Sequence, residues 1–122
     1  MFFGNNRSFE KMEETLKDEL NALAEQLSGE LLDNALYKAM YAADASVYRK
    51  LPLAVAIPKT IGDLRELIVF AQAKGTSLIP RAAGTSLAGQ CVGEGIVVDI
   101  SKHFTEIIFL DGQAKTVTVQ PG

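Results

Sequence analysis

The residues with the most chemical promise in this chain are small ones. Pro80-Arg81-Ala82-Ala83-Gly84-Thr85-Ser86-Leu87-Ala88-Gly89-Gln90 carries almost no bulk, yet it holds two hydroxyls, a carboxamide and a guanidinium. Such a loop exposes consecutive backbone N–H groups, because no branched Cβ shields them and Gly84 and Gly89 are free to take positive φ. Successive N–H groups in a tight turn form a concavity that holds anions. Thr85 and Ser86 add hydroxyl donors, and Arg81 adds a fixed charge suited to phosphate. The chemistry indicated is capture of a phosphate or pyrophosphate. Neither Gly-x-x-x-x-Gly-Lys-Ser/Thr nor a Gly-x-Gly-x-x-Gly opening a helix occurs. Arg81 to Gly95 spans 15 residues, and loops that long in small domains are functional or disordered more often than not. Chemistry alone leaves open both phosphate capture and a flexible Ala/Gly connector in which Thr85 and Ser86 only turn the chain.

The elements that must position this loop are legible from periodicity. Residues 1–7 read as a disordered lead-in. Phe9, Met12, Leu16, Leu20, Leu23 and Leu27 recur every three or four residues, a helical stripe with Ser8 as N-cap and a charged opposite face. Ser28-Gly29 interrupts it. Leu31, Leu32, Ala35, Leu36, Ala39 and Met40 predict a second helix ending near Ala42. Leu53–Ile57 is an apolar run stopped by Pro58 and predicts a strand. Thr60 and Asp63 begin a helix in the manner of a capping box; Ile61, Leu64, Leu67, Ile68 and Ala71 form its buried face, and Gly75 ends it. Ser77–Ile79 and Ile96–Ile100 predict strands on either side of the loop. Glu106–Leu110 and Thr116–Gln120 predict two more around the turn signal Asp111-Gly112, with a connection longer than two residues allowed. The order helix, helix, β, α, β, loop, β, β, β is α/β, with one compact sheet in the C-terminal two-thirds. A strand running into Pro121-Gly122 is entering a turn, so the chain reads as cut, with an unprotected edge strand.

Composition bounds the class. At 122 residues there is room for one core. With 48% hydrophobic and 22% charged residues it reads as an ordinary soluble domain. The net charge of −3 and the absence of a basic stripe argue against nucleic acid as a partner. No apolar run reaches the roughly 20 residues of a membrane span, and the N-terminus lacks the layout of a secretory signal. Cys91 is the single cysteine and fits a reducing cytoplasm. With no basic neighbour in sequence it reads as a small packed residue. His103 reads as a turn or surface residue, and Tyr37, Tyr41 and Tyr48 as packing between arm and sheet.

Arg81–Gln90 resembles the pyrophosphate loop of FAD-linked oxidases of the p-cresol methylhydroxylase/vanillyl-alcohol oxidase (PCMH) type. Nearest is the D-lactate dehydrogenase and glycolate oxidase flavin-subunit branch, whose usual text is Arg-Gly-Gly-Gly-Thr-Ser-Leu-x-Gly. Tyr41–Arg49, Pro52–Thr60, Gly95–Ser101 and Thr116–Gly122 resemble flanking segments of the same family, so the likeness covers roughly residues 30–122. It implies the first subdomain of a PCMH-type FAD-binding fold: a two-helix arm over residues 1–50 and a partial FAD-binding subdomain over 51–122. Arg81, Ala82, Ala83, Gly84, Thr85, Ser86, Gly89 and Gln90 would wrap the FAD pyrophosphate, Pro121 and Gly122 would start a second flavin-contacting turn, and Pro58 would lie toward the adenine. Ala82 and Ala83 stand where the family has glycine, which is tolerated at negative φ. The loop has no histidine, so attachment there is expected to be non-covalent. The resemblance also implies a parent enzyme that oxidises a small 2-hydroxy acid, D-lactate or glycolate-like, by hydride transfer to flavin. Iron–sulfur clusters, which some relatives carry, would belong to other parts of that parent. The expected location is the cytoplasm, with membrane association only through partners. No acid–base pair is recognisable, so no catalytic residue is assigned, and the fragment alone is expected to be inert and to bind FAD weakly or not at all. The competing expectation is a non-enzymatic interaction module that associates through its exposed helix or sheet edge.

Overall fold

The computed structural model describes residues 6–122, with side chains from residue 10 onward. The first helix, α1 (Asn6–Gln26), starts ahead of Ser8, which is therefore a helical residue and not the N-cap. Of the expected lead-in, residues 1–5 lie outside the described residues, as does the Phe9 side chain. Leu20, Leu23 and Leu27 are buried, whereas Met12 is exposed. The apolar stripe thus does its packing in the second half of α1, against α3 (Ile61–Lys74). Lys74 Nζ and Glu19 Oε1, 2.6 Å apart, close the edge of that contact.

The expected second helix is shorter. Glu30–Leu32 form a strand, β1, and only Ala35–Met40 are helical, α2, capped by the Asn34 side chain accepting from Tyr37 N–H at 3.1 Å. Both helices are present, but Leu31 and Leu32 face the sheet because β1 pairs antiparallel with β2 (Ala54–Ile57), Leu31 opposite Ala56. Three residues carry too little local pattern to announce a strand; its partner decides.

The main sheet has the order β1-β2-β4-β3, with β3 at Leu78–Arg81 and β4 at Ile96–Asp99. β2, β4 and β3 run parallel, and β2 and β4 are buried at every residue, which is why each reads as an unbroken apolar run. Ala54, Ala56, Ile96 and Val98 face Leu20, Leu23, Leu27 and Leu67 in one core. Each leucine so buried contributes about 1.5–3 kcal/mol. β3 continues two residues past its expected end, through Pro80 and Arg81; a proline is tolerated because β3 is an edge strand. In α3, Leu67 and Ala71 are buried as expected, but Ile61 and Ile68 are exposed. The buried stripe instead includes Asp63.

β5 (Ile107–Asp111) and β6 (Thr116–Val119) do not extend this sheet; they form a separate antiparallel ribbon. Their turn is four residues long, with Lys115 at φ 53 and Asp111 Oδ1 accepting from Gln113 and Ala114 N–H, both at 2.9 Å. The ribbon is tied back by Gly122 N–H donating to Phe104 O at 2.7 Å. Among the described residues, no helix is long and apolar enough to cross a membrane.

Candidate functional site

The long loop leaves the carboxyl end of β3 at Arg81, the end of a parallel sheet where α/β proteins bind ligands. Gly84 has φ +66 and Gly89 φ +75, the left-handed conformation expected of them. Ala82 and Ala83 have negative φ, so alanine stands there without that strain. Among the described residues, no backbone N–H from Ala82 to Leu87 donates to a protein acceptor. Ala82, Gly84 and Ser86 are half-buried and Ala83, Thr85 and Leu87 exposed, so these amides are open to water or to an anion. Those amides belong to the residues that the sequence offered as anion donors. The Thr85 hydroxyl is likewise unclaimed.

Two of the expected donors are engaged elsewhere. Ser86 Oγ donates to Gln90 Oε1 and accepts from Ala88 and Gln90 N–H, both at 3.2 Å, so Ser86 and Gln90 brace the loop from within. The Arg81 guanidinium turns inward. Its Nη1 donates to Ala43 O at 2.7 Å, and its Cζ lies 5.1 Å from the centroid of the Tyr41 ring.

The platform under the loop is residues 41–50, where the sequence showed a family-like segment, Tyr41–Arg49, and only packing roles for Tyr41 and Tyr48. Lys50 N–H donates to Ala42 O at 2.9 Å, and Ala43 bridges Arg49, folding the segment back on itself. Asp44 Oδ1 accepts from Ser46 N–H at 2.9 Å and shapes the turn. This small unit grips the loop at two points. Ala45 N–H donates to Gly84 O at 3.1 Å. The Tyr48 ring lies so close to Gly89 that a Cβ there would come within 2.7 Å of it.

Asp99, opposite Arg81 in the β3–β4 register, completes the foundation. It is buried, takes the Tyr41 hydroxyl on Oδ2 at 2.5 Å, and takes Ser101 N–H and Oγ on Oδ1 at 2.9 and 2.6 Å. Burial pushes its carboxyl up, but the Ser101 and Tyr41 hydrogen bonds and the Arg81 charge outweigh that and leave it below the usual carboxylate range. Burial first, then the Asp99 hydrogen bond and charge, push the Tyr41 hydroxyl up to about 12. The only local signals for Tyr41 and Asp99 were an aromatic hydroxyl and a charge beside otherwise apolar segments.

Pro121 and Gly122 reach the same end of the sheet. Ile100 N–H donates to Arg81 O at 3.0 Å, and a Cβ on Gly122 would stand 2.4 Å from Ile100 O, so only glycine fits. Pro58, by contrast, is fully buried beside the Ser28–Gly29 turn and offers no surface to a ligand. Cys91 is a free, partly buried thiol. Among the described residues, no three His, Cys, Asp or Glu lie together as a metal site.

Comparison with known proteins identifies the family. A family model described as "FAD binding domain" matches residues 52–122. Over 116 residues the chain is 33% identical to D-2-hydroxyglutarate dehydrogenase of Haemophilus influenzae, a match covering 92% of this chain and 11% of that protein. It is 32% identical to glycolate oxidase subunit GlcD of Bacillus subtilis, covering 74% of this chain and 20% of that one. Among solved structures, Physcomitrella patens BBE-like 1 superposes with a TM-score of 0.64 at 20% identity, over 82% of this chain and 22% of that one, a likeness of fold. The chain thus spans 11% to 20% of the length of these two curated relatives.

Proposed function

The chain belongs to the FAD-binding domain family, and on that premise we propose that it supplies the pyrophosphate cradle of a flavin-dependent oxidoreductase acting on a small 2-hydroxy acid. The observation that carries the reading is the run of unpartnered amides from Ala82 to Leu87, set at the carboxyl end of the sheet, with left-handed Gly84 inside it and left-handed Gly89 just after it. These donors fit a diphosphate: they are uncharged backbone N–H groups with no protein acceptor, free to donate to its oxygens. Ala82, Ala83, Gly84, Thr85 and Ser86 would contact it through backbone N–H, with the Thr85 hydroxyl alongside. Gly89 and Gln90 would close the loop around it, and Pro121-Gly122 would approach from the far side. No histidine lies in the loop, so the cofactor would be held non-covalently. The bound flavin would supply the oxidising chemistry; this chain's residues bind and orient. Substrate class follows from the two relatives named for 2-hydroxy acids. Catalytic residues and any iron–sulfur centre would lie in other parts of such an enzyme, and the lone Cys91 fits a reducing cytoplasm.

The test is a titration of the ¹⁵N-labelled chain with FAD, followed by amide shifts and flavin fluorescence. Weak binding that moves the amides of residues 82–87 is expected, with no turnover of 2-hydroxy acids by this chain alone. Shifts confined to other segments, or none at millimolar FAD, overturn the assignment. All flavin should be released on denaturation.

A second reading rests on the ribbon. Ile107 pairs with Val119 and Leu110 with Val117, and a bulge between Ile107 and Phe109 shifts the phase of β5. That puts these four side chains on one face, each more than half exposed. Through this face the chain would associate with itself as an interaction module. Light scattering without flavin separates the two: concentration-dependent dimers abolished by Leu110→Glu favour association, and a monomer at all concentrations rejects it.

A further inference from the structure

We propose that Arg81 is a positioning residue and not a phosphate ligand: with Tyr41, Asp99 and the Ala43 carbonyl it forms a clamp that fixes the loop's entrance and holds Gly84 in its left-handed turn. The idea deepens the reading above and rests on it for the identity of the ligand, but the clamp itself stands on contacts within the chain. One edge of the guanidinium donates to Ala43 O at 2.7 Å, and its plane lies over the Tyr41 ring. The Tyr41 hydroxyl is in turn anchored at 2.5 Å on Asp99, which Ser101 holds from the other side. In front stands the backbone of Gly84, so close that a Cβ there would lie 2.5 Å from Arg81 Nη2. Gly84 O, for its part, accepts from Ala45 N–H at 3.1 Å. The half-buried guanidinium is therefore flanked by a carbonyl, a ring and a glycine backbone, and Asp99 stands opposite Arg81 on the neighbouring strand.

Two consequences separate this role from direct ligand binding. A lysine could replace a point charge at a phosphate, but it has neither the plane that stacks on Tyr41 nor the fork that reaches Ala43 at the same time. With the Arg81 guanidinium engaged by Ala43 O and the Tyr41 ring, the anion is held by neutral amide dipoles, which suits the singly charged phosphodiester groups of a dinucleotide diphosphate.

The test compares hydrogen exchange in the 122-residue chain and in its Arg81→Ala, Arg81→Lys and Tyr41→Phe variants, without flavin. The Ala45 amide reports whether Gly84 O is in place; the Leu53 amide, which donates to Gly95 O at 2.9 Å, reports the neighbouring main chain. Exchange at Ala45 is expected to rise about tenfold in both Arg81 variants, and less in Tyr41→Phe, with Leu53 unchanged. Protection at Ala45 that survives Arg81→Ala, or that Arg81→Lys restores, overturns the proposal. Should Arg81→Ala fail to fold, Tyr41→Phe decides, because it keeps the ring and removes only the bond to Asp99. When FAD is added to the wild-type chain, the amides of 82–87 should shift while the Arg81 Nε–H does not. A shift at Nε–H of the same size refutes the clamp. If nothing shifts, the phosphate reading has failed, and exchange at Ala45 still judges the clamp.

Discussion

Asp63→Ala should destabilise this chain more than any single surface change. Asp63 is buried, and its two oxygens accept four backbone N–H groups: Ser28 at 2.9 Å, Gly29 at 3.0 Å, Lys59 at 2.7 Å and Thr60 at 3.2 Å. The last two belong to the helix cap, where water can replace the carboxylate, so their loss costs about 1 kcal/mol together. The first two belong to the turn between α1 and β1. There Gly29 is packed so tightly that a Cβ would fall 2.2 Å from Ile57 O, leaving little room for water. Each orphaned amide in that turn costs about 1–2 kcal/mol. The sum is about 3–5 kcal/mol, a large part of the ~5–15 kcal/mol available to a domain. Asp63→Asn keeps one acceptor oxygen, which can serve the three amides that share Oδ2, and sets an NH₂ against the fourth; about 2 kcal/mol is expected. Burial raises the Asp63 carboxyl, but the Lys59 and Ser28 N–H groups and the Thr60 hydroxyl outweigh it and hold it below the usual carboxylate range. The folded state therefore binds its proton at lower pH than the unfolded chain. That stabilisation is complete above pH ~4 and is lost as pH falls through the depressed folded value, so the gap between wild type and Asp63→Asn should narrow in acid. Urea unfolding followed by far-UV circular dichroism between pH 3 and 7 measures both effects. A cost below about 1 kcal/mol for Asp63→Ala, or equal costs for Ala and Asn, would refute the accounting.

Three further outcomes follow from the same contacts. Gly75 and Gly84 share a positive φ, but only Gly84 meets another group, the Arg81 guanidinium; Gly75→Ala should cost about 1 kcal/mol and Gly84→Ala clearly more, with Ala45 amide protection lost only in the latter. The Tyr41 hydroxyl is raised to about 12 from 10.0. Its protonated form is therefore favoured by the fold, a contribution present below pH ~10 and lost as pH climbs through the folded value. Ultraviolet titration should show a tyrosinate step near 12 that Tyr41→Phe removes. A Cβ on Gly95 would lie 2.1 Å from Ser77 O, a backbone atom that cannot yield without opening the start of β3 and β4. Gly95→Ala should cost more than about 3 kcal/mol, and a thermal midpoint within a few degrees of wild type would contradict that close approach.

The sequence by itself settled what depends on near neighbours. The apolar runs at 54–57 and 96–99, the capping box of Thr60 and Asp63, and the left-handed glycines of the loop are all set within a few residues, where sterics and periodicity act directly. The likeness to FAD-linked oxidases rested on the same local text. What only the tertiary structure decided are the partners of groups far apart in the chain. Leu31 and Leu32 fit a helix until Val55 and Ala56 arrive to pair with them. The apolar strands after Phe104 fit a continuing sheet until they form their own ribbon. Arg81 could face an anion by its chemistry, yet its hydrogen bond goes to Ala43, 38 residues earlier, and Tyr41 finds Asp99, 58 residues later. A side chain's charge and shape say what it can bind; which available group it meets is fixed only when the strands assemble and bring their ends to one edge of the sheet.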